Sequence, residues 1–239
     1  MVDILGGIAE AGNLIITGDP TLYGIVFRSL FFSGIAVILA TLWGTPIAML
    51  IGLREFRGKT IVKTFINSLI GIPTVVLGLV LFLIFSKGGP LGFLGLLYTP
   101  AAIILGEAVL VTPILISIMI TAIEAVDPEI MNLAKTLGAS ESQASIAVLK
   151  EAVNGVLLSN IASFNRAIAE LGVALLVGGN IAGLTDVLTT AISRYTQTND
   201  LGLAIALGIL LMVIVFIINM AVITAQKIKV FFTLWRSPQ

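Results

Sequence analysis

The chain has 239 residues, of which 58% are hydrophobic and only 11% are charged, and its mean hydropathy is +1.12. Soluble domains carry about a quarter charged residues, so this composition is typical of a membrane protein. A net charge of zero gives no basic field for nucleic acid, and the lack of cysteine and histidine excludes disulfides, imidazole catalysis and the common zinc, haem and iron–sulfur sites.

Apolar runs near 20 residues long predict an all-α membrane protein with about five transmembrane helices. The predicted spans cover residues 29–53, 64–85, 101–123, 156–177 and 201–225. At 1.5 Å per residue each is about 30 Å long or slightly more, which is enough to cross the hydrocarbon core. We expect residues 1–20 to form an outer-face segment, residues 21–228 the transmembrane domain, and residues 229–239 a cytoplasmic tail.

The basic residues are distributed unevenly on the two sides of these spans. Those on one side are Arg54, Arg57, Lys59, Lys63, Lys135, Lys150, Lys227, Lys229 and Arg236. The other side has only Lys87 and Arg194, with Arg28 at the mouth of the first span. Because cytoplasmic loops are rich in Lys and Arg, the sequence predicts a multi-pass membrane protein with its N-terminus outside and its C-terminus in the cytoplasm.

Pro73 lies inside the second apolar run, directly after Gly71 and Ile72. A proline removes a helical hydrogen bond and bends the helix that contains it. The sequence therefore predicts a helix bend at Pro73. This bend is interpreted either as a packing kink or as part of a pathway that opens and closes.

The longest polar interruption, residues 127–153, is predicted to lie in the cytoplasm. Its Asp-Pro-Glu run at 127–129 has the residues that cap and start a helix, and Gly138 is the residue type that ends one in a left-handed conformation. Ser140, followed by Gln143, then forms the capping-box pattern of a second helix. The polar face is not rich in Lys or Arg, as membrane-surface helices usually are, which favours a protein-docking hairpin over one that rests on the bilayer.

Residues 133–140 (LAKTLGAS), followed by a helix, resemble the cytoplasmic EAA loop of ABC importer permeases. In that family the loop forms a coupling helix that sits in a groove on the ATPase subunit, and its glycine and second alanine correspond to Gly138 and Ala134. The chain departs at Asn132 and Leu133, where the family favours Glu and Ala, and at Lys150-Glu151, where many members have Leu-Pro. The resemblance implies an ATPase-coupling surface at Glu129, Leu133, Ala134, Leu137, Gly138, Ala139 and Ser140.

Further segments are similar to the oxyanion permeases, the importers of molybdate, tungstate and sulfate. They are residues 72–92 (IPTVVLGLVLFLIFSKGGPLG), 164–172 (FNRAIAELG), 179–183 (GNIAG) and 188–192 (LTTAI). Lys150-Glu151 and the ELGVALLVGGN run are most similar to the tungstate-specific branch. The resemblance implies an ABC type I importer permease-like fold in the cytoplasmic membrane of a prokaryote. It also implies an external oxyanion-binding protein and two copies of a cytoplasmic ATPase that bind ATP and Mg.

Three ionisable residues, Glu107, Arg166 and Glu170, fall inside predicted spans. A charge at the bilayer centre costs about 2.5–3.5 kcal/mol, so each needs a partner or water. Arg166 and Glu170 are four residues apart and can pair, and Glu107 can reach them from the same side of the membrane. Two acids beside one base favour a structural ion pair over a docking point for a dianion, which leaves weak neutral donors for the pathway. The candidate translocation residues are Ser163, Asn165, Arg166, Glu170, Asn180, Thr189 and Glu107.

The outer segment 178–200 is too polar for a span. A short re-entrant helix is expected near residues 188–195, either in an external vestibule or in a surface loop.

Five helices are too few to enclose a gated path for a hydrated dianion, so a homodimer working by alternating access is expected. The chain has no P-loop motif, no nucleophile–base pair and no metal-ligand pattern, so it is predicted to be a transport subunit that binds no cofactor, with ATP hydrolysis in a separate ATPase. The alternative is an ion-coupled secondary transporter or channel that uses Glu107 and Glu170. Such proteins tend to have internal repeats, and no repeat between the halves is apparent here.

Overall fold

The computed structural model describes residues 4–236, with the backbone alone for residues 4, 222–223 and 225–236. Over this range the chain is all-helical. The α-helices in chain order are α1 Ile4–Thr17, α2 Pro20–Leu53, α3 Lys59–Ile70, α4 Thr74–Phe85, α5 Pro100–Glu124, α6 Pro128–Thr136, α7 Glu141–Glu151, α8 Val153–Ile168, α9 Gly172–Gly178, α10 Leu188–Gln197 and α11 Leu201–Arg236. Residues 1–3 of the predicted outer segment and 237–239 of the predicted tail lie outside the described residues.

Helices α2 and α5 pack along each other and form the centre of the molecule. Both begin with a capped proline turn: the Asp19 carboxylate accepts a hydrogen bond from Leu22 N at 2.8 Å, and the Thr99 hydroxyl accepts one from Ala102 N at 3.4 Å. The cap at Asp19 starts α2 nine residues before the predicted first span at residue 29. At Gly44 an added Cβ would lie 2.8 Å from the Leu115 side chain, so the absence of a side chain lets the two helices approach closely.

The second predicted span is two helices rather than one bent helix. Helix α3 ends at Ile70, α4 begins at Thr74, and their axes differ by 94°. Gly71 N closes the last turn of α3 on the Ser68 carbonyl at 3.2 Å, and Pro73 then takes an extended conformation with φ −58° and ψ 125°. Because proline has no amide hydrogen, the helical ladder cannot continue through this position.

The fourth predicted span, residues 156–177, is wrong as a single helix. Helix α8 begins at Val153 and ends at Ile168, and the chain resumes as the short helix α9 at Gly172. The break coincides with Glu170, whose carboxylate accepts a hydrogen bond from Val173 N at 3.0 Å and so caps the new helix. Gly172 packs tightly against α4, because a Cβ there would lie 2.7 Å from the Thr74 hydroxyl.

Counted by length and hydropathy within the described residues, three single helices are able to cross a membrane: α2, α5 and residues 201–221 of α11. Two bent pairs, α3 with α4 and α7 with α8, raise the number of candidate spans to five. The fold is therefore all-α with three to five membrane-spanning units, which agrees with the predicted fold class.

The N-terminal helix α1 packs on the first turns of α11. A Cβ at Gly7 would lie 3.3 Å from Leu201 Cβ and 3.1 Å from the end of the Ile205 side chain, so glycine permits the contact. The opposite face is apolar and exposed, with Leu5 81% and Ile16 86% accessible. The predicted N-terminal segment is therefore an ordered helix fixed to the last span.

Candidate functional site

The segment between α5 and α8 forms a rigid hairpin of two helices, α6 and α7, which we call the docking hairpin. The Asp127 carboxylate accepts a hydrogen bond from Glu129 N at 2.9 Å and starts α6, as predicted from the Asp-Pro-Glu run. At the start of α7, the Ser140 hydroxyl accepts from Gln143 N at 3.3 Å, and the Gln143 side chain accepts from Ser140 N at 2.9 Å. This reciprocal pair is the predicted capping box.

The turn between the two helices is a left-handed glycine cap at Gly138, with φ +88°. Gly138 N donates to the Lys135 carbonyl and Ala139 N donates to the Ala134 carbonyl, each at 3.0 Å. These two bonds form a Schellman motif, which satisfies the last carbonyls of α6 and fixes the angle at which the chain leaves it. The turn is consequently well defined although the segment is polar and lies outside the bundle.

Two leucines of the docking hairpin are largely exposed in the described part of the chain. Leu133 is 59% exposed and Leu137 is 78% exposed, and the two residues lie about one helical turn apart. On the other arm, Ala144 and Val148 are buried, and Val148 joins the core cluster formed mainly by α2 and α5. The hairpin is thus anchored by α7, while the end of α6 presents an apolar patch held in a fixed position.

The ionisable residues inside the bundle form a polar cluster where α8 ends. Arg166 pairs with Glu170 at 2.6 Å between Nη1 and Oε2, as predicted from their spacing. Glu170 is 2% exposed, and its backbone carbonyl accepts the Thr189 hydroxyl of α10 at 2.5 Å. Since its other carboxylate oxygen caps α9 at Val173, Glu170 joins three helices at one point.

Glu107 of α5 completes this cluster and is also 2% exposed. Its carboxyl group faces the Ser33 hydroxyl of α2 and lies close enough to Glu170 to interact electrostatically. Its Oε2 atom has no hydrogen-bond partner among the described residues, and within that range no ion pair or hydrogen bond joins it to Arg166. The cluster therefore contains two acids and one base, which makes it a poor resting place for a dianion.

The neutral candidate residues occupy separate places. Ser163 is fully buried in α8, and its hydroxyl has no partner in the described part of the chain. Asn165 donates to the Asn219 side chain of α11 at 3.0 Å. Asn180 has φ +50° and donates to the Thr190 carbonyl at 3.2 Å, which orders the loop before α10. Among the described residues, a hydrogen bond thus joins Thr189 to the charged cluster, whereas none joins the other three to it.

Sequence reasoning missed a second ionic cluster, centred on Asp186. This carboxylate is 1% exposed and pairs with Arg28 at 2.6 Å and with Arg194 at 3.3 Å. It also accepts a hydrogen bond from Gly183 N at 2.9 Å. The cluster attaches the loop before α10 to the first turns of α2. The available signal was that acids are sparse in this chain, 13 in 239 residues, and that Arg28 and Arg194 needed a partner.

Together with the family comparison, the helical bundle and its hairpin identify the class of this protein as a membrane component of a transport system. Residues 44–226 match the family described as the binding-protein-dependent transport system inner membrane component, and the chain belongs to that family.

Within the family, the chain is 37% identical over 224 residues to the tungstate uptake system permease protein TupB of Peptoclostridium acidaminophilum, a match that covers 94% of this chain and 98% of the relative. It is 35% identical to TupB of Campylobacter jejuni, with 90% of each chain covered. It is 37% identical to a probable anion ABC transporter permease of Haloferax volcanii, covering 83% of this chain and 88% of that one.

Solved structures agree on the fold. The inward-facing MetNI methionine ABC transporter superposes with a TM-score of 0.68 at 15% identity, covering 87% of this chain and 96% of the other. An amino acid ABC transporter superposes with a TM-score of 0.65 at 18% identity, covering 95% and 99%. The architecture is therefore that of an ABC importer permease, as the EAA-like motif implied.

Proposed function

We propose that this chain is the membrane-spanning permease subunit of an ATP-driven importer for a tetrahedral oxyanion. The observation that carries the proposal is the near full-length match to two tungstate uptake permeases at 37% and 35% identity. Tungstate is accordingly the proposed substrate. Molybdate follows, because it has nearly the same size and charge, and sulfate is third. Substrate affinity is assigned to a separate external binding protein, and this chain only has to let the anion pass.

The docking hairpin is the proposed coupling element. A partner that transmits force must hold a rigid feature, and the end of α6 offers exposed Leu133 and Leu137 beside a turn fixed by Gly138. In the proposed homodimer, each hairpin contacts one cytoplasmic ATPase, which holds ATP and Mg. Closure of the two ATPases moves both hairpins, and α7 transmits the movement into α8 across their 69° junction. This exposes the pathway alternately to each side of the membrane.

The proposed pathway uses weak neutral donors rather than a strong cationic site. Arg166 is held by Glu170 at 2.6 Å and is 33% exposed, so its charge is largely compensated. An anion that passes Ser163, Asn165, Asn180 or Thr189 would meet hydroxyl and amide groups without being trapped. The proposed orientation follows the basic residues, with the N-terminus outside and both the hairpin and the C-terminus in the cytoplasm.

An ion-coupled mechanism is the competing function, and one observation favours it: Glu107 is a buried carboxyl group whose Oε2 atom has no partner among the described residues. Intramembrane acids of this kind carry protons or cations in pumps and secondary transporters. The two functions differ in their energy source, so the same reconstituted system distinguishes them.

The test uses the fact that the chain contains no native cysteine. Ala139→Cys places a single thiol at the hairpin turn, and Thr198→Cys provides a control on the predicted outer side. In the isolated complex we expect a short thiol-to-amine cross-linker to join position 139, but not 198, to an amine of an ATPase subunit. In proteoliposomes we expect tungstate uptake to require ATP hydrolysis and to be inhibited by molybdate more than by sulfate. Uptake driven by an ion gradient without ATP would overturn the proposal.

A further inference from the structure

A cavity of about 410 Å³ lies between the end of α2 and the docking hairpin. Its apolar lining includes Pro46, Met49 and Leu50 of α2 together with Ile146 of α7. Leu50 is 55% exposed and Ile146 is 48% exposed, so this wall opens toward the surroundings of the helix bundle rather than into the core. The cavity therefore has an apolar lining beside the end of α2, a candidate membrane span.

The lining of the same cavity also includes two charged residues. Arg54, the first residue after α2, and Glu141, the first residue of α7, both line it, as do the side chains of Ser142 and Ser145. The guanidinium and the carboxylate are 3.6 Å apart, and the two side chains are 62% and 67% exposed. An exposed ion pair at this separation contributes little to stability, so both groups can still form hydrogen bonds with a ligand.

We propose that this cavity binds one phospholipid with a zwitterionic headgroup that carries a primary amine. The phosphate contacts Arg54, because a guanidinium matches phosphate oxygens with parallel donors. The ammonium group contacts the carboxylate of Glu141. The first part of an acyl chain lies along Met49, Leu50 and Ile146, while the rest remains in the bilayer. The neutral sum of one arginine and one glutamate favours this headgroup over an anionic one, which would place its negative charge beside Glu141.

The position of the site gives it a consequence for coupling. A bound lipid would contact both α2 and α7, and would thereby stabilise the orientation of the docking hairpin relative to the bundle. In the proposed orientation this site faces the cytoplasmic leaflet. That placement, and the consequence for coupling, rest on the proposed function. The binding of the lipid itself rests only on the cavity and its two charged residues.

The experiment is a lipid titration of the purified full-length chain in detergent, with bound lipids counted by native mass spectrometry. The probes are dioleoyl phosphatidylethanolamine, phosphatidylcholine and phosphatidylglycerol. Arg54→Gln and Glu141→Gln are compared with Arg57→Gln, which removes a neighbouring exposed charge that does not line the cavity. We expect each of the first two variants to weaken phosphatidylethanolamine binding about tenfold, the scale of one charge-assisted hydrogen bond. Arg57→Gln is expected to leave it unchanged.

Phosphatidylcholine, whose quaternary amine has no N–H group to donate, should bind several times more weakly than phosphatidylethanolamine. Equal binding in all variants, or stronger binding of phosphatidylglycerol, would overturn the assignment. A monodisperse elution profile shows that each variant is folded, and Arg54→Lys, which retains the charge, should recover part of the affinity. Uptake by the parent complex is measured separately. If the parent complex shows no ATP-driven uptake but still binds the lipid, the proposed function is rejected and this site is not.

Discussion

Replacing Gly138 by alanine tests whether the turn of the docking hairpin transmits force. Gly138 has φ +88°, and an added Cβ would meet nothing within 4 Å, so the substitution changes the backbone preference without creating a clash. An L-residue in this region costs about 1–2 kcal/mol, and the reduced freedom of the unfolded chain returns about 0.4–1 kcal/mol. The net destabilisation is about 1 kcal/mol, small beside the 5–15 kcal/mol that typically stabilises a domain.

Because the cost is small and local, we expect Gly138→Ala to fold and insert normally but to populate alternative turn conformations. A penalty of about 1 kcal/mol shifts the balance between the native turn and its competitors about fivefold. We therefore expect ATP-driven oxyanion uptake and the retention of the ATPase on the immobilised permease to fall by up to about fivefold. Both are measured on the reconstituted complex, with protein amounts matched.

Gly183 provides the matched control. It also has a positive φ, +77°, and open space around the position of a Cβ, but it lies in the loop before α10, far along the chain from the hairpin. Gly183→Ala should carry a similar backbone cost and leave the retention of the ATPase unchanged. Equal retention of the ATPase by both variants and the parent protein would refute the role assigned to the hairpin turn.

Three further outcomes follow from the packing and the charges. Asp186→Asn should destabilise the protein by about 3 kcal/mol, because Arg28 and Arg194 lose a buried partner. Limited proteolysis should then cut the loop before α10 sooner, and unchanged cleavage would contradict this. Gly155→Val should destabilise the protein by about 1–3 kcal/mol or more and lower its thermal midpoint, because a Cβ there would lie 2.1 Å from Ala122 Cβ. An unchanged midpoint would show that α5 and α8 can separate. Arg166→Ala should lower the stability of the protein by about 3 kcal/mol, because it leaves Glu170 buried without its cationic partner. Adding Glu170→Gln should recover part of that stability. Additive losses from the two substitutions in thermal unfolding would argue against a coupled pair.

The docking hairpin could be predicted from the sequence almost completely, because its determinants are local. A cap at Asp127, a left-handed stop at Gly138 and a capping box at Ser140 each depend on residues within five positions of one another. The pairing of Arg166 with Glu170 was predictable for the same reason, since four residues on a helix bring two side chains together. Hydropathy alone likewise indicated membrane-spanning helices.

The angles and breaks of the spans were not predictable in this way. A proline at position 73 indicates a bend, but its 94° value depends on how α3 and α4 pack against other helices. The interruption of the fourth span at residues 169–171 has no proline to mark it; it depends on Glu170 capping α9 and on Gly172 resting against Thr74 of α4. Hydropathy continues across that break, so a window of sequence cannot detect it.

The sequence by itself determined the class of this protein: a charge-poor helical membrane chain with one ordered polar hairpin. Composition and local hydrogen bonding decide those features, and both can be read along the chain. Only the tertiary structure decided which buried polar groups share an environment. Arg28 and Asp186 are separated by 158 positions, and Asn165 and Asn219 by 54, yet both pairs are in direct contact. Such partners are set by helix packing, where a buried polar group is stable only when another element brings its counterpart to it.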